Sequence, residues 1–279
     1  MESLTMHNLP SIKIFGLSLA LGSALLGGCA TDHHYDKDGG HTAGQSHGPL
    51  SKTFAAHGGL DKWNAYAQYH FEIEGFPMPW GLNNEAHVID LRQRRANVRD
   101  TGSGYTIQWN GASSQVTPEN HTFKGPPDFW AMGPFYFAGM PFVFGDEGVN
   151  VTALGRDTFG GKTYDHYKAT FSVGYSPKDE YRIWVDPVSH RLKMVEFRVT
   201  HPAVQGDKPL SQAIREYLVF NEWKTVDGLV VPAKATFYLS DGKFNKLGDL
   251  VGTYTTRGLD FDKKPAADSL FGKASAYGY

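Results

Sequence analysis

PPDFWAMGPFYFAGMPFVFG, residues 126–145, crowds Phe129, Trp130, Met132, Phe135, Tyr136, Phe137, Met140, Phe142 and Phe144 between prolines and glycines. A membrane-spanning helix needs about 20 uninterrupted apolar residues, and Pro134, Gly139 and Pro141 break this stretch. So much apolar area must be covered, either by the rest of the chain or by a ligand. Each buried ring is worth a few kcal/mol at roughly 25 cal/mol per Å². The stretch reads as a plug lying across the mouth of a β structure built by the sequence on either side. The other reading is a helix-and-turn piece that closes a filled core with no ligand behind it.

The flanking sequence supplies the β structure. Tyr69, Phe71 and Ile73 alternate with His70, Glu72 and Glu74, the period of a strand. Further strand candidates are 85–99, 104–110, 149–154, 164–173, 181–186, 191–201, 213–223, 229–239 and 247–261. Asn110-Gly111, Gly160-Gly161, Asp186-Pro187, Asp227-Gly228 and Asp241-Gly242 fall between or at the ends of these as tight-turn dipeptides, so the strands form antiparallel hairpins. Two strands are apolar on both faces. In one, Leu192 and Met194 oppose Val195, Phe197 and Val199; in the other, Ile214, Leu218 and Phe220 oppose Tyr217, Val219 and Trp223. A solvated face would be polar, so both sides of the sheet are expected to be partly covered, the inside by the plug and the outside by an N-terminal helix. That helix is expected within 50–66, with Ser51 as its cap and Gly58-Gly59 interrupting it. His57 fits a residue that closes the helix C-terminus.

Composition narrows the function. The chain has 279 residues, 41% hydrophobic and 20% charged, with a formal net charge of -2; its cations are thinly spread, which argues against nucleic acid. Arg92, Arg94 and Arg95 form the one local run and read as a solvated strand face. There is no GxSxG, phosphate loop, dinucleotide fingerprint or HExxH. His87, His121, His190 and His201 are scattered, and Asp179-Glu180 reads as a solvated turn. No enzyme and no cofactor are expected.

Residues 1–28 read as a targeting segment, with an apolar run from Ile14 to Leu26 preceded by Lys13. Leu26-Gly27-Gly28-Cys29 resembles the bacterial lipobox, and Cys29 is the only cysteine. The resemblance implies acyl chains on Cys29 and a membrane anchor, and Ala30 in place of Asp implies sorting to the outer membrane. Residues 29–49 follow as a tether. It carries His33, His34, His41 and His47, weak candidates for a loosely held metal, though their spacing defines no tetrahedral site. Residues 50–279 then make a single β domain.

Gly161-Lys162-Thr163-Tyr164, Tyr181-Arg182-Ile183-Trp184-Val185-Asp186-Pro187, Arg191-Leu192-Lys193-Met194 and the run from Trp223 to Pro232 resemble the periplasmic lipoprotein-carrier superfamily of LolA, LolB and RseB. Ala56-His57-Gly58-Gly59-Leu60 with Met140-Pro141-Phe142 is similar to a family of bacterial exported proteins of unknown function. The first resemblance implies a mainly β fold with minor α, an unclosed antiparallel β-barrel whose open side is plugged by helices around a cavity for acyl chains. On that basis Trp80, Trp130, Phe135, Phe137, Met140 and Phe142 are the expected lining. The function expected is lipid or acyl-chain binding by an outer-membrane-anchored lipoprotein facing the periplasm or the cell surface. The alternative is a structural or sensory envelope lipoprotein with a filled core and a protein partner.

Overall fold

The computed structural model describes residues 48–78, 81–102, 104–119, 121, 125–172 and 178–272. Cys29, the tether with His33, His34, His41 and His47, and Trp80 lie outside the described residues.

Strands β1 (Gln68–Met78), β2 (Gly81–Asp90), β3 (Arg95–Asp100), β4 (Thr106–Trp109) and β5 (Ser114–Thr117) form one meander. A second contains β6 (Val149–Phe159), β7 (Lys162–Phe171), β8 (Glu180–Val185), β9 (Leu192–Val199), β10 (Ile214–Val226), β11 (Leu229–Leu239) and β12 (Leu250–Asp262). Pairing of β1 with β12 joins the two into a 12-stranded antiparallel sheet with β5 and β6 as its edges. The edges do not pair, and the chain between them carries helix α3 (Pro127–Ala138) and a 3-10 turn (Phe142–Gly145). The fold is therefore the expected unclosed half-barrel, and its plug comes from the segment that links the two free edges.

The concave face is built by the period-2 pattern. Tyr69, Phe71 and Ile73 are fully buried there while Glu72 is exposed. Gly75, at φ +71°, sits in a register shift between Ile73 and Phe76; the bulge returns Phe76 to the same core. The run 85–99 is two strands. Asp90 accepts the backbone N–H of Arg92 and of Gln93 and pairs with Arg95, which closes a turn at 91–94. The arginine run is thus a turn and not a solvated strand face: Arg94 pairs with Asp146, and Arg95 also reaches Asp268.

Both faces of the second meander are covered, but the outer cover differs from the expected one. Phe159, Tyr164, Trp184, Met194 and Tyr217 form a convex cluster, with Phe244 and Leu247 of the β11–β12 loop packed on it. Glu196, also buried, pairs with Arg215 and accepts from Ser240 Oγ of the same loop. The N-terminal helices α1 (Ser51–Ala56) and α2 (Leu60–Asn64) lie on the concave side instead, because the ring of Trp63 stacks on Phe142 beside the plug. Ser51 is not the cap. Gly48–Leu50 is a 3-10 turn running straight into α1, with Leu50 at the cap position and no side-chain cap bond. The described residues from 48 to 272 belong to one compact unit that contains the whole sheet and its core.

Candidate binding face: a sealed end, an open end and a buried polar cluster

One end of the half-barrel is sealed by α1 and α2. His57, which ends α1, donates from Nδ1 to the Val230 carbonyl at 2.9 Å, and its Nε2 accepts the Leu192 N–H at 3.2 Å. Val230 N–H returns a bond to the His57 carbonyl at 2.8 Å, so one residue ties α1 to the starts of β9 and β11. Burial lowers the imidazole pKa to about 4, which keeps it neutral and able to both donate and accept. Trp63 and Tyr66 pack on Phe261 at the end of β12. Gly58 fits only as glycine: at φ +107° its missing Cβ would stand 2.1 Å from the Gly228 carbonyl. His57 also touches Phe142 edge-on at 6.4 Å, so the two pieces of the His-Gly-Gly and Met-Pro-Phe pattern meet here.

The opposite end carries exposed apolar residues, together with the β9–β10 connection, whose His201 packs on Phe129 of α3. Leu82 starts β2, Leu250 and Val251 start β12, Leu239 ends β11 and Ile214 starts β10; their exposures are 70%, 65%, 38%, 46% and 49%. The strands from β2 through β1, β12 and β11 to β10 are neighbours, so these residues lie along one rim, divided between its sides. Ile214 and Leu239 follow Leu218 and Phe237 on the concave side, whereas Leu82 alternates with the inward Asn83 and Leu250 pairs with Tyr238 of the convex cluster. Exposed apolar residues gathered on adjacent strand ends mark a contact surface, whereas scattered ones would not.

Helix α3 crosses between the ends. It is apolar all round, as a helix covered on several sides must be. Ala131, Met132, Phe135 and Ala138 are buried, with α3 packed against β3, β4 and β5. Phe129, Gly133 and Phe137, four residues apart, form a half-buried stripe with Trp130 beside it. Phe137 faces Phe76, Phe197 and Phe237 at 6.0, 5.0 and 5.2 Å between ring centroids. The expected lining residues thus divide. Phe135, Met140 and Phe142 are enclosed by the chain's own core, Trp130 and Phe137 border the partly open side, and Trp80 is outside the described residues.

The concave face also holds polar groups that the sequence did not single out as a set. Glu85 and His87 point inward from β2 and are both buried; His87 Nε2 donates to Glu85 Oε2 at 3.0 Å. Tyr105 Oη donates to Glu85 Oε1 at 2.9 Å, and Asn83 Nδ2 donates to the same carboxylate. The His87 ring stacks on Phe71 at 4.5 Å, and among the described residues its Nδ1 has no hydrogen-bond partner. Burial and the neighbouring Glu85 carboxylate raise the Tyr105 pKa, so the phenol stays protonated as a donor. The Glu85–His87 pair fixes the imidazole and leaves one polar atom toward the apolar interior. The i, i+2 spacing on a strand was the available signal, and treating the histidines one by one missed it.

Asp179 was expected to be solvated. It accepts from the backbone N–H and hydroxyl of Thr200, both at 2.6 Å, and burial raises its pKa to about 6. Among the described residues no cluster of His, Cys, Asp and Glu is placed to hold a metal ion, and no helix is long and apolar enough to cross a membrane.

No family model and no curated relative matches the chain. Among solved structures it is similar to a LolA superfamily protein from Nitrosomonas europaea, at 11% identity and TM-score 0.47, over 80% of this chain and 96% of that one. A DUF1329 family protein from Desulfovibrio piger matches at 8% identity and TM-score 0.43, over 80% and 97%. A putative outer membrane lipoprotein-sorting protein domain from Vibrio parahaemolyticus matches at 11% identity and TM-score 0.34, over 79% and 97%. The similarity to proteins of LolA type is one of chain path, and it says nothing of what this chain binds.

Proposed function

We propose that the protein is an outer-membrane-anchored lipoprotein that takes up an acyl chain through the open end of its half-barrel. The exposed rim residues Ile214 and Leu239 carry this reading, because they stand on the concave side of β10 and β11, in line with Leu218 and Phe237, against which the half-buried Phe137 packs. An acyl chain placed there covers Ile214, Leu239 and the exposed side of the half-buried Phe137. The buried side of α3, with Phe135, stays as the fixed wall. Cys29 supplies the anchor and 29–49 the tether, and the role is binding, in lipid or lipoprotein handling, without catalysis.

The test is native mass spectrometry, with organic extraction, of residues 42–279 expressed in the periplasm. A co-purifying lipid near one-to-one supports the reading, and Phe137→Asp should release it while the fold persists. A clean apo mass with no uptake of added acyl chains removes it.

One observation favours a second reading. Strand β6 is an edge of eleven residues, most of them half-exposed or exposed, and its unpaired backbone is a template for an added strand. A protein partner pairing there would need no cavity.

A further inference from the structure

Glu216 lies on the concave face near the open end. The β9–β10 register is unbroken from Ile214 to Val219, so Glu216 shares a face with Leu218 of the concave core, while Tyr217 and Val219 belong to the convex cluster. Its cross-strand neighbours are Phe197 on β9 and Leu239 on β11. Ile214, two residues before it, is an exposed rim residue. The carboxyl therefore stands where the rim meets the interior, half-buried among apolar side chains.

No arginine, lysine or histidine among the described residues answers it. Among the described residues Glu216 has no ion pair or side-chain hydrogen bond, whereas Arg215 beside it turns to the other face and pairs with Glu196. Burial alone raises its pKa, to about 7, with no compensating charge. Near neutral pH a large share of Glu216 is thus ionised against an apolar wall, which is a costly state for a carboxylate without a partner. Leucine would fit the same place in a merely structural wall. A carboxyl kept there is a polar anchor for something that arrives from outside.

Resting on the acyl-chain reading above, we propose that Glu216 is the headgroup site of that ligand and selects a chain-bearing amphiphile with a protonated amine. The chain lies toward Phe197 and Phe137, and the ammonium meets the carboxylate at the rim. A cation at this position removes the cost of the lone charge, a hydroxyl offers one neutral hydrogen bond, and an anionic head is repelled. Selectivity follows from charge, and chain affinity from the apolar wall.

The test uses residues 42–279 and three probes of equal chain length: dodecylamine, dodecanol and laurate, with affinities from native mass spectrometry and displacement of a fluorescent acyl probe. The expected order is amine, then alcohol, then carboxylate. Glu216→Gln should weaken dodecylamine by about tenfold to a hundredfold, the worth of a charge-assisted bond, and leave dodecanol nearly unchanged. Glu216→Leu removes a lone half-buried charge, so it should fold at least as stably and bind the alcohol as well as or better than the parent. If all three probes bind with no preference for the amine, or if Glu216→Gln binds dodecylamine like the parent, the headgroup assignment is overturned and the acyl-chain reading survives. If none of the probes binds, both readings fall together.

Discussion

His57 makes the seal at the closed end depend on pH in a way that can be calculated. Its neutral ring donates to Val230 and accepts from Leu192, and a protonated ring cannot accept. The folded-state pKa is about 4, against 6.5 for an ordinary imidazole. Because the folded pKa is depressed, the folded state resists protonation. The stabilising contribution is complete above pH 6.5, falls as the pH drops through the window from 6.5 to 4, and is gone below it. At 1.36 kcal/mol per unit the contribution lost is about 2 kcal/mol by pH 5 and about 3 kcal/mol by pH 4. The assay is urea unfolding of the parent and of His57→Gln at several pH values, read by tryptophan fluorescence. Asp179, Glu216, His166 and His201 titrate too, but they are common to both proteins and cancel in the difference. The advantage of the parent over His57→Gln should shrink by about 2 kcal/mol between pH 7.5 and 5. Parallel curves over that range would refute the buried, neutral, two-bond role.

Three further outcomes follow from the packing. Gly58→Ala forces a Cβ against the Gly228 carbonyl at a positive φ, so it should cost well above the usual ~1 kcal/mol of a strained glycine site and appear as a large drop in Tm. Arg215→Ala strips the partner from buried Glu196; it should cost about 3 kcal/mol in urea unfolding, whereas replacing Arg215 and Glu196 together by apolar residues should recover much of the loss. Glu85→Ala leaves donors of Asn83, Tyr105 and His87 buried without their acceptor and should destabilise by about 3 kcal/mol, measurably more than Glu85→Gln, which keeps one carbonyl oxygen in place.

The sheet was legible because its strands carry strong local signals. The alternation through Tyr69, Phe71 and Ile73 is buried in phase, and in 213–223 Leu218 and Phe220 join the concave core while Tyr217 and Val219 join the convex cluster as their spacing dictates. Trp223, expected beside Tyr217, packs instead on the concave core because the register shifts between Phe220 and Trp223. The outer cover was not legible. Phe244 and Leu247 sit in a loop rich in Asp, Gly and Lys, and two apolar residues there give no period to read. The N-terminal helices were legible as helices but not in position, since Trp63 and Phe142 share nothing in sequence that announces their stacking. Among the site residues, the apolar wall could be named from composition. Glu85 with His87, and Glu216, were hidden because a carboxylate in a strand pattern reads as its solvated face until the register shows which side it is on.

The two ends of the half-barrel should respond to acid in opposite senses, which tests the assignment of Glu216 independently of any ligand. Its folded pKa of about 7 is raised above the ordinary value of 4.5 by burial. A carboxyl whose pKa is raised on folding is destabilising when ionised. The folded state binds its proton more tightly, so acidification through pH 7 toward 4.5 relieves that cost, the reverse of the His57 case. Between pH 7.5 and 5 the relief amounts to about 2 kcal/mol, since most of the shift lies inside that interval. In Glu216→Gln the neutral amide holds the apolar wall at every pH, so the parent should be less stable than the variant at pH 7.5 and should gain on it steadily as the pH falls. An added alkylamine at pH 7.5 should stabilise the parent more than the variant, because it supplies the missing counter-charge. If the gap between parent and variant stays constant from pH 7.5 to 5, Glu216 is solvated, and it has no reason to select a cationic head.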